Sequence, residues 1–303
     1  MRIFKLFLIS FFLITSAYSN SIYNLIKIPN LEIYELKTPN KLKYFYATKP
    51  FRLGVQKNIV CNNSDKKTYD EKYQIISNNL KRYSKDFLRK INLKYIVMCE
   101  NLSISGINTA GIPDHVMKTL ILDLKFNEKY FERVIHHELF HIINDGFKDI
   151  FNENEWKKFN EPNFNYAECS TCSKKLGLDT YTKTNGFFTE YSMTIPSEDM
   201  AEVYSHLITG NYKISDDAIL NKKIGFIKDK LKEIDKSLNP EEIQTHVYTV
   251  GKENGYDKNL RNWFKLIYEV VFGEENGPRM GYFVSFFGLK ETIELMKDKI
   301  SNN

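Results

Sequence analysis

The stretch Val134–Asn144, VIHHELFHIIN, limits the folds open to this chain more than any other. It holds two histidines four positions apart with a glutamate after the first, His137-Glu138-Leu139-Phe140-His141. On an α-helix, positions four apart share a face, so His137 and His141 can turn imidazole nitrogens toward one ion. Glu138, rotated by about 100° from His137, reaches a water beside that ion without binding the ion itself. The apolar residues Phe131, Ile135, Leu139 and Ile142 occupy the adjoining arc and would bury the helix. This division of faces is what a helix with one apolar side and one side turned to a metal needs, the alternative being a helix on which two histidines fall together incidentally. Asn127 is a suitable N-cap, which places this helix from Glu128 to about Asn144. His136 points away from the pair, and His115 and His246 have no partner pattern, so all three are expected to be structural.

A catalytic zinc usually has three protein ligands and leaves the fourth position to water. One common arrangement supplies a third histidine six residues after the second, but that position is Phe147. Asp145 is near in sequence, yet it sits on the same helix, and a third ligand normally comes from another segment. The better source is Thr189–Gly210, TEYSMTIPSEDMAEVYSHLITG, where Pro196 suits a first helical position and Gly210 a terminator. Glu198 and Glu202 are four apart on that helix. Glu198 can bind the metal. Glu202, one turn further, can accept the free ring N–H of a ligand histidine and so fix its tautomer. His206 is the rival ligand, and would leave Glu198 on the surface.

The first twenty residues have an export pattern: Arg2 and Lys5, then an apolar run from Leu6 to Ile14, then Ala17-Tyr18-Ser19. The run is shorter than the roughly 20 residues of a spanning helix, so cleavage near Ser19 is expected, with a periplasmic or secreted product and no stable membrane span. The four cysteines all follow it, and an oxidising compartment favours the pairs Cys61–Cys99 and Cys169–Cys172. For Cys169-Ser170-Thr171-Cys172 a redox motif and a zinc knuckle are the alternatives to a disulfide loop. The 43 basic and 38 acidic residues are spread along the chain without a long basic block, so no nucleic-acid partner is indicated.

From Ser21 to Val60 short runs broken by Pro29, Pro39 and Pro50 predict strands, and LKYIVMCENLSISG and KTLILDLKF predict two more. Between them, apolar residues from Tyr73 to Leu88 recur at helical intervals. The segment 145–177 reads as irregular, with Trp156, Phe159, Phe164 and Tyr166 as packing beneath a loop. The remainder is helical: AILNKKIGFIKDKLKEIDKSL, NLRNWFKLIYEVVF and LKETIELMKDKI. With no repeat and no linker, residues 20–303 are expected as a single domain of the α+β class. Its parts are a β-rich 20–126, a metal-site core at 127–210 and helices over 211–303.

H-E-x-x-H followed by a second helix bearing E-x-x-x-D/E resembles the gluzincin metallopeptidases. YSMTIPSEDMAE is similar to the corresponding stretch of the anthrax lethal factor catalytic domain and related zinc-binding peptidases, in which a tyrosine lies seven residues before the ligand glutamate, as Tyr191 does before Glu198. The resemblance covers about Lys118 to Gly210. The chain departs from that pattern in ending with Glu202 and in carrying C-x-x-C in the intervening loop. It implies a zincin-like fold, a small sheet packed on an active-site helix, and one Zn2+ held by His137, His141 and Glu198. It further implies Glu138 as general base, Tyr191 as the group that steadies the oxyanion, and a protein or peptide substrate. The expectation is an exported zinc metallopeptidase; a non-catalytic exported binding protein on the same scaffold is the alternative, and a thiol-disulfide oxidoreductase a distant third.

Overall fold

In the computed structural model, residues 28–54, 56–172, 177–180, 185–210, 217–236 and 240–301 are described. Met1–Ser19, expected as a signal peptide, lies outside them. The chain belongs to the α+β class: its first half supplies the strands and its second half is helical.

Eight strands form one sheet: β1 (Leu31–Glu35), β2 (Lys43–Ala47), β3 (Phe51–Leu53), β4 (Ile59–Asn62), β5 (Tyr95–Ile104), β6 (Ile107–Asn108), β7 (Gly111–Asp114) and β8 (Thr119–Asp123). The long β5 is shared by two parts of the sheet. Its first half lies between β2 and β8, parallel to both, while its second half pairs antiparallel with β4 and β6. Strands covered on both faces read as near-continuous apolar runs, and β8, buried at every position, has Leu120-Ile121-Leu122 at its centre. The two faces then divide by alternation. Ile96, Met98, Leu120 and Leu122 join the core that contains Phe131, Ile135 and Leu139, whereas Val97, Cys99 and Ile121 join Phe51, Leu53 and Cys61 on the other side. Within that second cluster, Cys61 and Cys99 are disulfide-bonded and wholly buried, tying β4 to β5.

Helices α1 (Lys66–Leu80) and α2 (Lys85–Lys90) replace the single helix that the apolar spacing from Tyr73 to Leu88 suggests. The break has a local cause: Ser84 adopts an extended conformation and its side chain accepts the Phe87 N–H, starting a new helix. Helix α3 (Glu128–Gly146) is capped by Asn127, whose side chain accepts from Lys129 N. A short α4 (Glu153–Lys157) interrupts the segment read as irregular, and its Trp156 is fully buried. Helix α5 (Pro196–Thr209) has proline at its start and ends at Gly210 with φ 69°, a left-handed residue where glycine carries no penalty. Helices α6 (Ala218–Lys236), α7 (Pro240–Gly251), α8 (Leu260–Phe272), α9 (Met280–Phe287) and α10 (Leu289–Ser301) follow.

The chain divides into two compact units between Asp235 and Lys236. The second unit has its own small core of Ile267, Val271, Met280 and Val284. There the Trp263 indole donates to Val247 O at 2.9 Å, and Gly281 N donates to the Gln244 side chain at 2.8 Å.

Candidate metal centre

The residues that could hold an ion come from α3 and α5, which pack against each other within the first unit. The Nε2 atoms of His137 and His141 lie 3.2 Å apart, and Glu198 Oε2 is 2.9 Å from the first and 3.2 Å from the second. Tetrahedral zinc, with bonds of about 2.0–2.1 Å, sets its ligand atoms about 3.3 Å apart, so this triangle is close to the size an ion requires. Two imidazoles and a carboxylate are also a donor set suited to zinc. Among the described residues this trio is the one group of His, Cys, Asp and Glu side chains arranged to hold a metal.

Without an ion, the trio is a buried charge cluster. Burial opposes the imidazolium of His137, but hydrogen bonds to Glu198 and Glu202 outweigh it and raise its pKa to about 10. His141 is likewise pushed up against its burial by the charge of Glu198. Burial also works against the ionised form of Glu198, yet the two histidines hold its carboxyl far below the usual range. A divalent cation would replace the two protons that these rings retain.

Glu202 stands behind the trio. Its Oε1 accepts from His137 Nδ1 at 2.9 Å, which fixes the ring with Nε2 toward the centre. Its Oε2 accepts from Thr189 Oγ1 at 2.9 Å. Thr189 carries no motif signal in the sequence, and only the fold discloses it. Glu138 lies beside the trio, and burial raises its pKa. Its backbone neighbour across the gap is Gly111 on β7: a Cβ there would meet Glu138 Cγ at 2.7 Å, so only glycine permits this approach. The Tyr191 ring is 5.9 Å from that of His137, and burial followed by the charges of Glu198 and Glu138 pushes its phenol pKa far up. Tyr191 therefore stays protonated and able to donate.

The rival ligands are elsewhere. Asp145 pairs with Lys148 at 3.2 Å on the exposed end of α3. His206 is turned back on its own helix, its Nδ1 donating to Glu202 O at 2.8 Å and its ring stacked on Phe188. His136 is turned away from the trio, against Tyr83 and Asn79. Cys169 and Cys172 form a disulfide, which excludes them as thiolate ligands in this state.

Asp199, unremarked in the sequence, anchors α5 one residue beyond Glu198. Its Oδ2 accepts from Trp156 Nε1 at 2.8 Å, Tyr166 Oη at 2.5 Å and Lys223 Nζ at 2.7 Å, joining α4, the following loop and α6 to α5. Both Lys223 and Asp199 are fully buried, so removing either partner would strand a charge in the core. The aromatics of 145–177 thus do pack beneath the site, as their composition suggests.

Short likenesses run to lysine–tRNA ligases. Those of Rickettsia bellii (strain OSU 85-389) and Rickettsia prowazekii (strain Madrid E) are 38% identical over 74 residues, 24% of this chain and 14% of theirs. That of Roseobacter denitrificans (strain ATCC 33942 / OCh 114) is 40% identical over 70 residues, 23% of this chain and 13% of its own. The chain therefore spans about 14% of the length of these ligases, too little to carry their activity across. No solved structure matches the chain with significance. Residues 71–239, more than half of the chain and including all of α3 and α5, match the family described as "Putative zinc-binding metallo-peptidase", and the chain belongs to that family.

Proposed function

We propose that the chain is an exported gluzincin-type zinc metallopeptidase that hydrolyses peptide bonds in a protein or peptide substrate. The observation that carries this reading is the convergence of His137, His141 and Glu198 from two helices, with a buried Glu138 alongside. Zinc held by these three residues would supply Lewis acidity, lowering the pKa of a water and polarising the substrate carbonyl. Glu138 takes the proton from that water and passes it to the leaving amine; burial, by raising its pKa, suits it to both roles. Tyr191, held in its protonated form, donates a hydrogen bond to the developing oxyanion. Glu202 fixes the ring of His137 through Nδ1. β7 runs past Glu138 as the outer strand beside β8 and offers backbone groups to an extended peptide.

Export is supported by the leader-like residues 1–19, by the two disulfides, and by the lack, among the described residues, of a helix long and apolar enough to cross a membrane. The deciding measurement is zinc per chain in the purified protein, with Glu198→Ala alongside. One tightly held zinc, weakened in the variant, is the expected result. No zinc after reconstitution would end the metallopeptidase reading, and zinc held equally by the variant would remove Glu198 from the ligand set.

A further inference from the structure

We propose that Arg133 is a positioning residue for the metal centre, acting through Glu202 on His137; the inference rests on the metallopeptidase reading above. Arg133 lies one turn before His137 on α3, so its guanidinium extends along the same face of the helix. The side chain is only 11% exposed and its groups are placed in three directions. Nη2 donates to Leu178 O at 2.7 Å, Nη1 lies 3.0 Å from His206 Nε2, and Nη2 lies 3.6 Å from Glu202 Oε2.

The roles of the partners follow from their chemistry. His206 donates from Nδ1 to the backbone carbonyl of Glu202, so its Nε2 is the acceptor that Arg133 requires. This is the use the fold makes of a histidine that the sequence offers as a ligand. Glu202 has one oxygen for His137 and the other for Thr189 and Arg133. It is 2% exposed, and a carboxylate so buried keeps its place only when opposite charge and hydrogen bonds answer it. Arg133, anchored independently by Leu178 and His206, supplies the fixed cation. The planar fork holds that geometry better than a lysine could. Arg133 touches neither the three donors nor the space in front of them, so it is not a catalytic residue.

The test is a double-mutant cycle of zinc affinity, measured by competition with a chromophoric chelator, on wild type, Arg133→Gln, Glu202→Gln and the double variant. Outer partners of metal-bound histidines are worth about 10–100-fold in metal affinity, and we expect Glu202→Gln to fall in that range with Arg133→Gln near about 10-fold. In the Glu202→Gln background, Arg133→Gln should cost less than about 2-fold, because its route is already cut. Losses that multiply across the two sites, or an unchanged affinity in Arg133→Gln, would overturn the positioning role. Thermal unfolding of the metal-free forms accompanies the cycle: a merely structural arginine would lower stability and weaken zinc equally in both backgrounds. Should Arg133→Gln not fold, Arg133→Lys carries the same cycle. A wild-type chain that binds no zinc removes the metallopeptidase reading and this inference together, whereas wild-type affinity in the variant removes this inference alone.

Discussion

His136 and His137 are neighbours in the chain and both are buried, yet they face different partners, about 100° apart around α3, in opposite chemical states. His136 Nε2 is 3.0 Å from Asn79 Oδ1, an acceptor, so Nε2 carries the proton and Nδ1 accepts from Tyr83 Oη at 2.6 Å. Burial, followed by the charge of Arg82, drives its pKa down to about 3. His137, also buried, meets two carboxylates and its pKa rises to about 10. Burial by itself therefore tells nothing about a histidine's task. The charge of its partners decides, and α3 has a neutral side at His136 and a charged side at His137.

If the proposed function holds, the charged side is broken most severely by Glu138→Gln. Turnover should fall by about 10²–10⁴-fold while zinc content is retained, since the ligands are untouched. Retained turnover on a peptide substrate would sink the proposed base. Tyr191→Phe should reduce kcat by about 10²–10³-fold with little change in KM, the signature of a contact made in the transition state. An unchanged kcat would return Tyr191 to a packing role.

The neutral side responds in stability instead. His136→Ala should cost about 3 kcal/mol in denaturant unfolding, because it strands Tyr83 and Asn79 in the core, and zinc affinity should not move. If zinc binding falls with it, the two sides are not separate.

A pH series on the metal-free protein sharpens the contrast. His136, with its pKa lowered from 6.5 to about 3, contributes stability above pH 6.5 that is lost as pH falls through that window. His137, raised from 6.5 to about 10, contributes stability below pH 6.5 that is lost as pH rises toward 10. His136→Ala should thus flatten the acid limb and His137→Ala the alkaline limb; the reverse assignment would refute the comparison. The smallest effect is expected from Tyr83→Phe, about 1 kcal/mol, for a hydroxyl that donates to His136 and accepts from Tyr204.

Much of this was open to reading in the sequence because it is local. The α3 face pattern, the Asn127 cap, Pro196 and Gly210 each act within one helix, and both helices lie where those signals put them. The pairing Cys61–Cys99 was readable from compartment and count. Thr189, Arg133 and Asp199 were not, since each acquires its meaning from residues brought to it by tertiary packing. Strands β6 and β7 were also missed: they are two and four residues long and hold too little periodicity to register. The break at Ser84 was hidden by apolar residues that keep helical spacing across it.

Gly111 carries a consequence for the ancestry of the chain. With Glu138 Cγ only 2.7 Å from where a methyl group would stand, the position has no neutral replacement while the glutamate remains. A descendant with a smaller residue at 138 would lose the tightest contact at 111, leaving the Ile121 carbonyl oxygen at 3.1 Å. The two sites, one on a strand and one on a helix, should therefore drift as a pair. Side chains at 111 in a lineage would mark where Glu138 had been given up.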